Sequence, residues 1–96
     1  MIQKNRLKVT EADITKQIRD YLELKRIFHW KVFQTLGSTP GVSDIIGIHK
    51  GKFLAIEVKT EKGILTENQL NFLANVKFNG GIALVARCLE DVIKNL

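Results

Sequence analysis

Residues 44–59 read DIIGIHKGKFLAIEVK, and this stretch decides the fold. Two strand-like runs, 44–49 and 52–59, are rich in β-branched and apolar residues and flank Lys50-Gly51, the composition of a two-residue hairpin turn. The turn sets a register. With His49 opposite Lys52, each step back along one strand matches a step forward along the other, and Asp44 falls directly across from Glu57. Cross-strand partners hold their β-carbons about 5 Å apart, so two carboxylates share one spot. Lys59, two residues beyond Glu57, points to the same face, while Ile56 and Val58 point to the other.

Working towards the N-terminus, residues 36–43 (LGSTPGVS) carry the glycines and proline of a loop, and 28–35 (FHWKVFQT) reads as a further strand. Before it, Thr10 has the character of a helix N-cap, with Asp13 three positions on as a short-armed capping box. Ile14, Ile18 and Leu22, joined by Tyr21, recur on one side of the following helix of about four turns. Glu11 stands above that apolar stripe, where a carboxylate has either a functional role or a helix-dipole role. Residues 1–9, with Lys4, Arg6 and Lys8, read as a basic arm leading into a single domain over 10–96.

Towards the C-terminus, Thr66-Glu-Asn-Gln69 has the form of a capping box, with Leu65 and Leu70 as a staple. Leu70, Leu73, Ala74 and Lys77 continue at helical spacing, and Gly80-Gly81 ends the helix. Ile82–Ala86 (IALVA) is a short apolar run expected to be buried on both faces, and 89–96 closes as a short helix. Cys88 is expected to be a small buried residue. The order α-β-β-β-α-β-α, with a helix between the third and fourth strands, implies a mixed central sheet flanked by helices and an α/β fold.

A chain of 96 residues holds a single core. Its 45% hydrophobic and 26% charged residues are ordinary for a packed domain and exclude a disordered or low-complexity class. One cysteine, and two histidines without metal-ligand spacing, exclude disulfide and zinc scaffolds. No run approaches the roughly 18 apolar residues of a membrane span, and the N-terminus lacks the apolar run of a signal peptide, so a soluble, intracellular protein without a membrane partner is expected. Fifteen Lys and Arg against ten Asp and Glu give a net charge of +5, which favours an anionic partner such as nucleic acid.

Asp44, Glu57 and Lys59 admit two readings. One is an exposed cross-strand salt-bridge cluster, worth about 0.2–1 kcal/mol per pair. The other is a hard-cation site: two acids so close resist joint ionisation unless a cation lies between them, and Mg²⁺ asks for one or two carboxylates plus phosphate oxygens. Phosphodiester chemistry follows from the second.

The ordered set Glu11, Gly41-Val-Ser-Asp44, Glu57-Val-Lys59-Thr60 and Gln69, on this scaffold, resembles the VRR-NUC domains of the PD-(D/E)XK nucleases, which have a restriction-endonuclease-like core. The resemblance implies that Asp44 and Glu57 ligate Mg²⁺ or Mn²⁺ together with the Val58 carbonyl, and that Glu11 completes the acidic set. Lys59 would orient the attacking water, and Gln69 would stand beside it. Ser43 replaces the proline common before the aspartate and, with Lys4, Arg6 and Lys8, is expected at the DNA. Stand-alone viral members resemble homodimeric Holliday-junction resolvases of DNA repair, which implies an endonuclease on branched DNA leaving 5′-phosphate and 3′-hydroxyl ends. A flap or restriction-like nuclease, and a non-catalytic DNA-binding module, are the alternatives.

Overall fold

Thr10 opens the first helix as its hydroxyl allows. The computed structural model describes residues 8–35 and 37–96, and in it α1 runs Glu11–Leu24. Both halves of the capping box form: Thr10 Oγ1 accepts from the Asp13 N–H at 3.1 Å, and Asp13 Oδ2 accepts from the Thr10 N–H at 2.9 Å. Ile14, Ile18 and Leu22 are buried along one stripe, as their spacing predicts. The helix ends in a Schellman turn, with the Ile27 N–H donating to the Leu22 carbonyl at 2.9 Å and the Arg26 N–H to that of Glu23 at 3.0 Å. Arg26 takes the left-handed conformation, φ 58°, that this turn demands.

The sheet follows in the order β1-β2-β3-β4, from β1 (Phe28–Lys31), β2 (Ile45–His49), β3 (Lys52–Val58) and β4 (Ile82–Ala86). The first three strands run antiparallel. Lys50 and Gly51 join β2 to β3 at φ 52° and 79°, both positive as a type I′ turn requires. His49 pairs with Lys52 and Ile45 with Ile56, the register that the turn composition implies. α2 (Glu67–Phe78) then crosses over so that β4 lies parallel to β3, and α3 (Leu89–Ile93) follows. The sheet is mixed and the fold α/β.

Strand alternation divides the interior in two. Ile45, Leu54, Ile56 and Val58 pack with α1 and α3 through Ile14, Ile18, Leu22 and Val92. Ile46, Ala55 and Ala83 pack with Leu73 and Val76 of α2 on the opposite face. β4 contributes to both clusters, Ile82 and Leu84 to the first and Ala83 and Val85 to the second, as an apolar run without alternation should. α2 lies over β3 and β4 and reaches β2 only through Ile46, so among the described residues no helix covers the outer part of β1 and β2 on this face.

Four expectations are corrected. β1 ends at Lys31; the pairing continues for one step, the Val32 N–H donating to the Asp44 carbonyl at 2.8 Å, before the chain leaves for the loop. α2 buries Leu73 and Val76 with Phe72 and Gln69 half-buried, while Leu70, Ala74 and Lys77 are exposed. Positions 69, 72, 73 and 76 also share one helical face, and they offer more bulk than 70, 73, 74 and 77. α3 stops at Ile93, and Leu96 returns in a turn to the Val92 carbonyl. Cys88 is exposed, because it occupies the N-cap of α3 at the surface. No helix among the described residues is long and apolar enough to cross a membrane.

The left-handed Arg26 generates a stability prediction. A side chain with a β-carbon costs about 1–2 kcal/mol there, a cost that glycine avoids while losing more backbone entropy on folding. Arg26→Gly is expected to raise the unfolding free energy by up to about 1 kcal/mol in denaturant titration; a destabilised variant would refute the turn assignment.

Candidate active site

The hairpin places two acids where β2 and β3 begin to part. Ile45 and Ile56 are the last partners of the ladder, and one step beyond them Asp44 and Glu57 point to the α2 face. Asp44 does not simply face its neighbour: its Oδ2 accepts the Val58 N–H at 2.7 Å. A strand residue sends its N–H and its carbonyl to the same side, so the Val58 carbonyl also looks towards Asp44. Two carboxylates and one main-chain oxygen thus gather at one edge of the sheet.

Glu57 is almost sealed, with 2% of its surface exposed, and its Oε1 has no hydrogen-bond partner. Burial is the first cause that pushes its pKa up to about 8; the charge of Asp44 is the second, and a hydrogen bond between the two carboxyls the third. Lys59 pulls the other way, and Glu11 adds a smaller repulsion. Glu11 therefore acts on the pair from the start of α1. Among the described residues, however, no three His, Cys, Asp or Glu side chains are close enough together to hold a metal ion. Asp44 and Glu57 are brought together, and Glu11 stands off them.

Lys59 leaves β3 with its N–H bonded to the Ala86 carbonyl at 3.0 Å. Its stem lies against Gly63, where an added β-carbon would sit 3.2 Å from the Lys59 Cδ. Its ammonium makes no ion pair within 4.0 Å among the described residues, where the exposed Lys16–Asp20 pair is found instead. Gln69 completes the α2 capping box, its Oε1 accepting from the Thr66 N–H at 2.9 Å and its N–H donating to the Thr66 Oγ1 at 3.1 Å. Its side-chain amide N–H groups remain for other work. Ser43 is fully buried and its Oγ lacks a partner, so it offers no surface to a nucleic acid in this conformation. Lys8 is exposed, whereas Lys4 and Arg6 lie outside the described residues.

Arg87 was not singled out in the sequence, and Gly41 entered only as part of the Gly-x-x-Asp spacing, without a structural role. Arg87 Nη1 donates to the carbonyls of Thr60, Glu61 and Gly63 at 2.6, 3.1 and 2.8 Å, tying the loop after Lys59 to the end of β4. Gly41, at φ 77°, lets its loop touch the first turn of α2: a β-carbon there would collide with the Asn68 carbonyl and lie 2.8 Å from the Gln69 nitrogen. A glycine three residues before an acid carries that signal weakly, and Arg87 carries none.

With this geometry established, the comparisons with known proteins are decisive. The family model of the VRR-NUC domain matches residues 4–89. The chain belongs to the VRR-NUC family. Among solved structures, a VRR_NUC domain protein is 19% identical with a TM-score of 0.76, covering 92% of this chain and 85% of its own. A second, described as a VRR_NUC domain, is 22% identical with a TM-score of 0.73, covering 88% of this chain and 92% of its own. These likenesses concern the fold. No curated protein matches. As a VRR-NUC domain the chain is a nuclease of the PD-(D/E)XK type, which implies DNA binding, and nucleases of this type generally use divalent metals.

The residues fit such an ion. A buried carboxyl with an orphaned oxygen, held back from ionising by burial and by a second carboxylate beside it, is an oxygen-donor set whose ionisation a hard divalent cation would favour. Asp44, Glu57 and the Val58 carbonyl are the atoms suited to hold it.

The raised pKa of Glu57 has a measurable consequence without metal. Below its ordinary value of 4.5 both folded and unfolded chains keep the proton; between 4.5 and about 8 only the folded chain does. The native state then binds more protons, so stability falls as pH rises through that window. Glu57→Gln, which cannot ionise, should flatten this fall in thermal denaturation followed by circular dichroism. Added Mg²⁺ or Mn²⁺ should raise the wild-type midpoint most near pH 8 and leave Glu57→Gln nearly unmoved. An equal metal response in both proteins would count against Glu57 as a ligand.

Proposed function

We propose that this chain is a Mg²⁺- or Mn²⁺-dependent endonuclease that hydrolyses phosphodiester bonds of branched DNA, such as four-way junctions, as a homodimer. The observation that carries the reading is the pair of adjoining carboxylates, half-buried Asp44 and buried Glu57, with Lys59 two residues further on. Asp44, Glu57 and the Val58 carbonyl would hold the ion, with Glu11 reaching it through a water. When bound, the ion supplies Lewis-acid stabilisation of charge developing on the phosphate. Lys59, free of any ion pair among the described residues, orients the attacking water in line with the departing 3′ oxygen. Gln69 offers its amide N–H groups beside it, from a side chain fixed by the capping box. Products would carry 5′-phosphate and 3′-hydroxyl ends. Residues 1–9 would form a basic arm on the domain of residues 10–96, with Lys4, Arg6 and Lys8 adding phosphate contacts. A protein with this task works inside the cell, in the host cytoplasm for a viral chain.

The dimer is supported by an apolar surface. Phe28 and Trp30 of β1 pair with Ile48 and Ile46 of β2, and Ile48 pairs with Phe53, so all lie on the α2 face of the sheet. Phe28 is 66% exposed and Ile48 49%, on strands that the α2 backbone does not approach, and Phe53, beside α2, is 46% exposed. A second copy is the occupant proposed for this face, because two matched cuts across a junction ask for two sites related by two-fold symmetry.

Two experiments test the proposal. With labelled duplex, flap, splayed-arm and four-way substrates, wild type should cut the four-way junction in Mg²⁺ or Mn²⁺. Asp44→Asn should abolish that activity with DNA binding retained, and Lys59→Ala should reduce turnover about 10²- to 10⁴-fold. Wild-type rates in Asp44→Asn would sink the site. Light scattering should report twice the chain mass of 10.9 kDa, and Phe28→Glu should return the protein to a monomer. A wild-type monomer that nicks single strands would favour a flap or restriction-like nuclease.

A further inference from the structure

α1 and β1 meet only in part, and a cleft of about 330 Å³ remains between them. Its titratable lining is Lys16, Arg19, Asp20 and Glu23 from the helix and His29 and Lys31 from the strand. Lys16 is committed to Asp20 at 2.9 Å. Arg19 makes no hydrogen bond or ion pair among the described residues, even with Glu23 one turn on, and its Nε is shut off from solvent. A donor both buried and unbonded is costly, and an oxyanion in the cleft would relieve it. On the opposite wall, His29 donates Nδ1–H to the Ile27 carbonyl at 2.8 Å, since a carbonyl can only accept, and its Nε2 is buried without a partner. Lys31 holds its ammonium 4.4 Å from the centre of the Phe33 ring.

The cleft lies on the α1 face of the sheet, opposite to the face that Asp44 and Glu57 point to, and one of its ends reaches the same end of the sheet as they do. Ala12, at its helical end, follows Glu11, and Lys31 precedes Val32, whose N–H bonds the Asp44 carbonyl. A polyanion bound at Asp44 and Glu57 that passes round this end of the sheet would meet the cleft. No Phe, Tyr or Trp side chain lines the cleft as a stacking platform, and the cationic side chains there favour the sugar–phosphate backbone over a base or nucleoside. The planar fork of Arg19 with the point charge of Lys31 suits a phosphodiester group.

We propose that this cleft binds a backbone phosphate flanking the scissile one, with Arg19 and Lys31 as its ligands. The inference rests on the nuclease reading and adds a second anchoring point for the DNA on the α1 side of the sheet. It makes substrate binding depend on residues that touch no reacting atom.

The test is fluorescence anisotropy of the full chain with labelled four-way and duplex DNA in Ca²⁺ over a salt series. Arg19→Gln with Lys31→Gln should weaken binding several-fold and make the log–log salt slope shallower by about 0.9, the value for one phosphate. Arg19→Lys with Lys31 intact should keep the slope, and circular dichroism should match wild type in all variants. An unchanged slope and affinity in the double variant would overturn the proposal, while cutting of the same DNA by wild type in Mg²⁺ would leave the nuclease reading standing. A second measurement is independent of DNA: inorganic phosphate should shift the Arg19 Nε–H resonance saturably in wild type and not in Lys31→Gln. Absence of that shift overturns the cleft assignment, and its presence in a protein that neither binds nor cuts DNA would sink the nuclease reading instead.

Discussion

The closeness of Asp44 and Glu57 is the constraint around which the structure is arranged. Two carboxylates do not come together on their own account; here one sits nearly sealed beside the other, and burial and mutual repulsion push the pKa of Glu57 up to about 8. What forces them together is backbone geometry. The two left-handed residues Lys50 and Gly51 fix the β2–β3 register, and five residue pairs then carry that register from His49 and Lys52 to Ile45 and Ile56. A slip of one residue would turn the apolar residues of one strand to the wrong face, so the cores on both sides of the sheet defend the placement of the acids.

The rest of the site is held from the second half of the chain. Lys59 follows directly on β3, and the loop after it is bound by Arg87, whose guanidinium collects three carbonyls of residues 60–63. Arg87 is itself fixed, its N–H donating to Asp91 Oδ2 of α3 at 2.9 Å. Gly41 does the corresponding work before Asp44 by letting the loop lie against the α2 first turn, where Gln69 resides. The parallel strand β4 and its crossover helix therefore support groups that the hairpin alone could not orient.

How much of this was legible in the sequence depended on range. The two capping boxes and the hairpin turn are local: each is written in four residues or fewer, and each formed as read, so Asp44 and Glu57 could be paired from a turn and an alternation. The α2 face was misread because two sets of positions at helical spacing overlap at Leu73, and only the sheet surface decides between them. Cys88 was misplaced because composition speaks for burial while its position at a helix start speaks for the surface. Arg87 was invisible: its three bonds span 24 to 27 residues of separation, and nothing near it in sequence indicates a carbonyl-rich partner. The unpaired state of Arg19 is of the same kind, since helical spacing offers it Glu23 as a partner and only the structure shows that the pair is not made.

The uncovered half of the sheet follows from the same economy of elements. α2 is committed to β3 and β4 because the parallel crossover requires it, and its first turn meets the Gly41 loop. A helix of 12 residues cannot also cover β1 and β2. Those strands therefore keep Phe28, Trp30 and Ile48 on an open face, with the Phe28 and Trp30 rings 5.6 Å apart and tilted, a small apolar cluster that no helix covers among the described residues. In a domain this small, where core burial leaves little surplus stability, exposing such residues is a net cost for the isolated fold. The helix position that brings its first turn to the Gly41 loop is thus also what leaves the outer part of β1 and β2 open among the described residues, so the proposed site and the proposed self-association would both follow from where one helix lies.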